Sequence, residues 1–90
     1  MPSDIYVIEF KKSVDKELRK LATGIRKQII SKILKLSTQP YPSSSTKLLG
    51  STGLYRIRHT NYRVIYQVDG DKLIVLVVKV GHRKEVYRDF

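Results

Sequence analysis

Arginine side chains suited to binding phosphate are concentrated in two neighbouring segments of this sequence. Arg56 and Arg58 alternate within Leu54–Arg58, and Arg63 follows after a short polar stretch. A guanidinium group binds phosphate oxygens through paired hydrogen bonds and stays charged at physiological pH. Residues two apart share one face of a β-strand, so we predict that Arg56 and Arg58 point together. The chemistry that this pattern favours is stabilisation of negative charge on a phosphate.

The predicted pairing of these two segments brings the third arginine to the same face. If residues 59–62 form a hairpin loop, Arg58 lies opposite Arg63 and the apolar residues of both strands share the other face. Those apolar residues are Tyr55, Ile57, Val64 and Tyr66. Like charges directly opposite each other destabilise a sheet by up to ~1 kcal/mol, so a purely structural hairpin gains nothing from them. We therefore interpret the arginines as a phosphate-binding site; the alternative is an exposed basic face with hydrated side chains.

A second segment with candidate catalytic groups, Val80–Tyr87, follows the longest apolar run. Gly81 permits a sharp turn or unusual backbone dihedral angles. Such a turn would bring His82, Arg83 and Tyr87 close to the edge of the sheet. Histidine and tyrosine can both transfer protons. Each also has a simpler interpretation, His82 as a loop residue and Tyr87 as a packing residue, and it is their combination with the arginines that favours catalysis.

The hydrophobic periodicity predicts an α+β fold around these segments. The predicted elements, in chain order, are a strand at Ile5–Phe10, a helix with Ser13 as its N-cap, a break at Thr23-Gly24, a helix at Ile25–Leu36, a loop at Thr38–Thr46, strands at Leu54–Arg58, Tyr62–Val68 and Leu73–Val80, and a short last strand at Glu85–Tyr87. Asp69-Gly70 predicts a hairpin turn, and the unbroken apolar run of the third of these later strands predicts a central position. We expect the order β-α-α-β-β-β, with the short last strand as an optional addition. A twisted, mainly antiparallel sheet would carry the two-helix hairpin on one face and leave the other partly open.

Composition limits the classes of function. The 90 residues fit a single domain, 1–90, and 18 Lys and Arg against eight Asp and Glu give a net charge of +10, which favours a polyanionic partner. The absence of cysteine excludes disulfides and thiolate metal sites and fits a reducing cytoplasm. The sequence shows no signal peptide, and its longest apolar run is too short for a membrane span. Without a Gly-rich phosphate loop or an HExxH motif, we predict a cytoplasmic protein with no cofactor and no metal.

Several segments together resemble the RelE/ParE toxin superfamily. They are Lys47-Leu48-Leu49-Gly50, Leu54–Arg58, Tyr62–Val68, Val80–Arg83 and Val86-Tyr87-Arg88. RelE-type members cleave messenger RNA in the ribosomal A site and are neutralised by an antitoxin. The resemblance implies that Arg56 and Arg58 match two basic residues, commonly lysines, on the first hairpin strand. It also implies that Arg63, Arg83 and Tyr87 match the next-strand arginine, the arginine after the glycine turn and the C-terminal tyrosine, with a shorter turn before Tyr87 than in the best-known RelE.

The function that the resemblance implies is a metal-independent endoribonuclease, the toxin of a type II toxin–antitoxin system. The predicted catalytic residues are Arg56, Arg58, Arg63, Arg83, Tyr87 and His82. The predicted RNA- or phosphate-binding residues are Lys47, Arg56, Arg58, Arg63, Arg83 and Lys84. The expected partners are an antitoxin, the ribosome and messenger RNA, with no membrane and with oligomers only as the toxin–antitoxin complex. The alternatives are a ParE-like toxin that inhibits gyrase without ribonuclease activity, and a non-catalytic RNA- or ribosome-binding module.

Overall fold

The computed structural model describes residues 4–48, 50 and 53–87, which form two helices and one five-stranded sheet. The elements are β1 (Val7–Phe10), α1 (Lys12–Arg19), α2 (Thr23–Lys35), β2 (Thr46–Lys47), β3 (Leu54–His59), β4 (Tyr62–Asp69) and β5 (Ile74–His82). The strand order is β1-β5-β4-β3-β2, with β1 and β5 parallel and the other pairs antiparallel. The predicted α+β class, the mainly antiparallel sheet and the central position of β5 are confirmed. Leu49 and Arg88, which carry part of the family resemblance, lie outside the described residues.

Both helices pack against one face of the sheet and bury the hydrophobic core there. α1 contributes Val14 and Leu18, and α2 contributes Ile29 and Ile33. The sheet contributes Ile57, Val64, Tyr66, Val75, Val77 and Val80. Alternation along β3 and β4 then turns the side chains between these core residues to the opposite face. We call that opposite face, which carries Arg56, Arg58 and Arg63, the arginine face.

A β-bulge in β5 changes which residues of the apolar run face the helices. Tyr66 pairs with Val77 but its neighbour Ile65 pairs with Lys79, so Val78 is an extra residue in β5. Val77 and Val80 are both buried in the core although they are three residues apart. In an unbroken strand, Lys79 would lie on the same face as Val75 and Val77. Because of the bulge, it lies on the arginine face instead.

The helix boundaries differ from the sequence prediction at both N-termini. α1 begins at Lys12 after an extended Lys11 at the N-cap position, so the prediction of Ser13 as N-cap is wrong. Thr23 and Gly24 do not break the helices but form the first turn of α2, and the chain reverses over residues 20–22. Neither N-cap residue makes a side-chain capping bond, so both helices depend on burial of their apolar faces more than on capping.

The predicted last strand is also wrong, because the chain leaves the sheet after His82. The amides of Glu85 and Val86 both donate to the His82 carbonyl, at 2.8 and 2.9 Å, and residues 83–87 form a turn. Val86 is fully buried and lies against Gly81, 3.8 Å from the position that a Cβ would occupy there. Gly81 itself is ordinary strand backbone without a positive φ, contrary to the expectation of unusual dihedral angles. The additional strand of the fold is instead β2, which pairs with β3 at the edge of the sheet.

The loop between α2 and β2 is fixed by a cluster of tyrosines on the helix face. Tyr66 is fully buried and its hydroxyl donates to the Pro40 carbonyl at 2.8 Å. Tyr55 stacks on Tyr66, and Tyr41 meets Tyr55 edge to face with 5.0 Å between ring centroids. The predicted proline-rich loop is thus confirmed and is held by aromatic contacts. In the described part of the chain, no helix is long and apolar enough to cross a bilayer.

Candidate active site

The first hairpin has the pairing that the arginine spacing predicts. Arg58 pairs with Arg63 and Ile57 pairs with Val64, with a two-residue loop at Thr60-Asn61. Thr60 adopts a φ of +52°, a conformation that is unfavourable for a β-branched residue. Its hydroxyl donates to the His59 carbonyl at 2.7 Å. The tight loop therefore fixes the register that brings the guanidinium groups to one face.

α2 holds this hairpin from the helix side. The ammonium group of Lys32 donates to the Arg58 carbonyl at 3.0 Å, and the Gln28 side-chain oxygen lies 2.7 Å from Nε2 of His59. Both contacts join residues far apart in the sequence. They fix the end of β3 relative to the helices, and so they fix the base from which the Arg58 side chain extends.

The structure brings Arg56 and Tyr87 into direct contact. Nη1 of Arg56 donates to the Tyr87 hydroxyl at 2.8 Å, and both residues are half-buried. Nε of Arg56 is buried and has no hydrogen-bond partner among the described residues. A buried guanidinium N–H without an acceptor is energetically costly.

Arg63 and Arg83 are linked through the hairpin loop. Nη1 of Arg63 donates to the carbonyls of Thr60 and Tyr62, at 3.0 and 2.8 Å, which leaves the rest of the guanidinium for another ligand. The backbone amide of Arg83 donates to the Asn61 carbonyl at 2.7 Å. This bond joins the start of the C-terminal turn to the hairpin loop, and the Arg83 side chain is exposed. Arg58 and Arg63 thus share the arginine face with Arg56, and Arg83 lies in the C-terminal turn that also carries Tyr87.

Of the other predicted site residues, His82 and Lys47 lie on the helix side of the sheet, and Lys84 lies in the C-terminal turn. His82 pairs with Tyr62, which packs on the hydrophobic core, so the histidine ring is on the helix face. Lys47 pairs with Tyr55 and is likewise on the helix side of the sheet edge. Lys84 is exposed in the C-terminal turn, and its amide donates to Nδ1 of His82 at 3.2 Å. The structure therefore joins Tyr87, and not His82, to the arginines.

Lys79 is a basic residue of the arginine face that the sequence analysis missed. Its partner across the strands is Ile65, which alternates with Arg63 along β4. Strict alternation from Val75 and Val77 would place Lys79 on the helix face, and only the bulge reverses this. No periodic signal in the run Leu73–Val80 indicates the bulge, since nearly every residue there is apolar.

The fold and this site define a small basic protein whose sheet carries several arginines on the face opposite the helices. The chain belongs to the RelE/ParE superfamily of type II toxins: the sequence model described as ParE toxin of type II toxin–antitoxin system, parDE, matches residues 8–87. The mRNA interferase toxin RelE of Escherichia coli K12 is 35% identical over 88 residues, covering 93% of this chain and 92% of that protein.

Solved structures support the same assignment. The E. coli RelBE toxin–antitoxin complex superposes with a TM-score of 0.76 at 33% identity, covering 86% of this chain and 95% of the matched chain. The archaeal RelE–RelB complex from Pyrococcus horikoshii gives a TM-score of 0.79 at 28% identity, covering 91% and 99%. The similarity to these RelE chains extends over nearly their whole length, as the sequence resemblance predicted.

Proposed function

We propose that this protein is the toxin of a type II toxin–antitoxin system and acts as an endoribonuclease that cleaves messenger RNA in the ribosomal A site. The observation that carries the proposal is the contact between Arg56 and Tyr87 on the sheet face that also carries Arg58 and Arg63. Arg83 is exposed in the turn that carries Tyr87, which supports a role for it beside this pair. A relative that is 35% identical over 93% of this chain is named an mRNA interferase.

The reaction needs no metal, because RNA carries its own nucleophile. The 2′-hydroxyl oxygen attacks the adjacent phosphorus, the bond from phosphorus to the 5′ oxygen breaks, and the products are a 2′,3′-cyclic phosphate and a 5′-hydroxyl. One proton leaves the 2′-hydroxyl and one is delivered to the leaving 5′ oxygen. Negative charge grows on the phosphate oxygens, and preorganised donors stabilise it most effectively.

We assign the side chains the following roles in this reaction. Arg56, Arg63 and Arg83 would stabilise the phosphate, and Tyr87 would accept the proton or orient the 2′-hydroxyl. Arg58 would stabilise the leaving 5′ oxygen through its charge, since arginine remains protonated, and water would supply the proton that this oxygen takes up. His82 is the alternative acid, and to act it would have to reach the scissile bond from the helix side of β5.

Replacement of the exposed Arg83 tests the nuclease proposal. We expect Arg83→Ala to lower the cleavage rate by ~10²–10³, the loss typical of one transition-state donor. Primer extension on messenger RNA from cells expressing each form measures the cleavage. Arg19→Ala is the matched control, since it removes the same side chain from the exposed surface of α1, where Arg19 pairs with Asp15 at 2.8 Å. Wild-type cleavage by Arg83→Ala at unchanged ribosome binding would remove Arg83 from the mechanism.

The proposed partners are an antitoxin, the ribosome and messenger RNA, in the cytoplasm. The related RelE chains were solved in complex with RelB antitoxins. A net charge of +10 favours an antitoxin segment that is acidic where it meets the arginine face. It also predicts that ribosome and RNA binding weaken steeply as salt is raised.

A ParE-like gyrase inhibitor is the second candidate, and the match of residues 8–87 to the ParE toxin family favours it. Cell-free translation, combined with an assay of the DNA-damage response in cells, separates the two candidate functions. Cleavage at A-site codons supports the nuclease, whereas a DNA-damage response in cells without messenger RNA cleavage supports gyrase inhibition. Salt-dependent RNA binding without any product bearing a 5′-hydroxyl would indicate a non-catalytic binding module.

A further inference from the structure

A cleft of about 400 Å³ lies on the other side of the C-terminal turn from the Arg56–Tyr87 pair. It opens where β5 continues beyond the end of β1, because β1 pairs only with residues 74–77. α1 forms one wall of the cleft and residues 85 and 86 form another. Its polar lining consists of Glu17, Lys20, Tyr62, Lys79, His82 and Glu85.

Two aromatic rings in contact with each other form part of the wall of the cleft. Tyr62 and His82 meet edge to face with 5.7 Å between ring centroids, and both line the cleft. Nδ1 of His82 accepts the amide hydrogen of Lys84, which leaves the proton of the neutral ring on Nε2. Aromatic side chains are the surfaces on which proteins hold unstacked nucleobases.

The lining of the cleft contains both acidic and basic residues, whereas the charged residues named on the arginine face are all basic. Glu17 and Glu85 are two of only eight acidic residues in the chain, and Lys20 and Lys79 lie in the same lining. One oxygen of Glu17 accepts the Val80 amide at 2.9 Å, which orders that carboxylate on the free edge of β5. A site for phosphate alone gains nothing from carboxylates. Carboxylates accept hydrogen bonds from the exocyclic amino groups of bases, and lysines bind phosphates.

We propose that this cleft binds the nucleotide next to the scissile phosphate and prefers a base with an exocyclic amino group, with Glu85 as the acceptor. The inference rests on the proposed nuclease function and extends it to sequence preference. Tyr62 packs against the base, and Lys20 holds its phosphate. Val86 lines the cleft and the next residue, Tyr87, contacts Arg56, so one turn separates the two sites. A chain lying across this turn places one nucleotide in the cleft and its neighbouring phosphate at Arg56.

Binding of short oligonucleotides that cannot be cleaved tests the cleft without relying on catalysis. The probes are trideoxynucleotides that lack the 2′-hydroxyl nucleophile and differ only in a central cytosine or uracil. These bases differ at position 4, which is amino in cytosine and keto in uracil, and at N3, which carries a hydrogen only in uracil. We expect the wild-type protein to bind the cytosine probe roughly 5–10-fold more tightly, at the lower end of the range for a specific base contact. Isothermal titration at low salt measures both affinities.

Glu85→Gln is the decisive variant, because the amide can donate to a keto oxygen as well as accept from an amino group. We expect the preference for cytosine to fall to about twofold or less. Glu9→Gln is the matched control: the same chemical change at an exposed position of β1, outside the cleft, should keep the wild-type preference. Tyr62→Leu should weaken both probes by about 10-fold and leave their ratio unchanged, since stacking tolerates any base.

The outcomes separate this inference from the nuclease proposal. Equal binding of both probes by the wild-type protein, or an unchanged preference in Glu85→Gln, overturns the cleft proposal even if RNA is cleaved. A preference that Glu85→Gln abolishes and Glu9→Gln retains supports it, and primer extension should then show altered cleavage sites with Glu85→Gln. Failure of the nuclease proposal would be seen separately, as an absence of cleavage by the wild-type protein.

Discussion

The Arg56–Tyr87 contact should be measurable as a coupling free energy. Removal of the hydroxyl by Tyr87→Phe leaves Nη1 of Arg56 without its acceptor at 2.8 Å, next to an Nε that already lacks a partner among the described residues. Hydrogen bonds to charged groups contribute about 1.5–3 kcal/mol, and half-burial of the pair favours the lower end. We therefore expect Tyr87→Phe to lower the free energy of unfolding by about 1.5 kcal/mol, which corresponds to a fall in Tm of roughly 6–12 °C for a domain of this size.

A double-mutant cycle isolates the contact from other effects of each substitution. The cycle compares Tyr87→Phe, Arg56→Met and the double variant by urea unfolding, with methionine keeping most of the aliphatic length of arginine. A coupling of about 1 kcal/mol or more is expected. Tyr41→Phe is the control, because Tyr41 is 51% exposed and should change stability by less than about 0.5 kcal/mol. If the two single changes add to within about 0.3 kcal/mol, the hydrogen bond contributes nothing, and the placement of Tyr87 in the site is refuted.

Two further predictions concern the hairpin loop and the tyrosine cluster. Thr60→Gly should raise the free energy of unfolding by about 0.5 kcal/mol, as relief of the strained φ of +52° outweighs the backbone entropy of glycine; a lower urea midpoint would contradict this. Burial, with smaller contributions from nearby Tyr55 and Tyr41 and a partial offset by Ser45, raises the pKa of Tyr66 to about 12. The contribution of Tyr66 to stability should therefore be constant up to about pH 10, where the tyrosine of the unfolded chain begins to ionise, and fall by roughly 2–3 kcal/mol between about pH 10 and 12. Tyr66→Phe should remove most of that decline in urea unfolding measured across the same pH range.

The hairpin could be predicted to the residue because two independent signals agree there. The apolar alternation in β3 and β4 allows one register that buries both sets of side chains, and the loop Thr60-Asn61 is short enough to enforce it. This register directly predicts that Arg58 pairs with Arg63. The position of Tyr87 did not follow in this way, since Glu85–Tyr87 has the composition of a strand and its turn depends on burial of Val86 against the sheet. Tertiary packing decided a segment whose local sequence favoured the opposite conformation.

The bulge in β5 shows why the boundary of the site was harder to predict than its centre. One extra residue, Val78, exchanges the two faces of everything that follows it in the strand. Lys79 consequently lies on the arginine face, while His82 is carried to the helix side next to Tyr62. An uninterrupted strand would have presented His82 together with Arg58 and Arg63. The same shift that takes the histidine away from the arginines places it in the wall of the cleft, next to Tyr62.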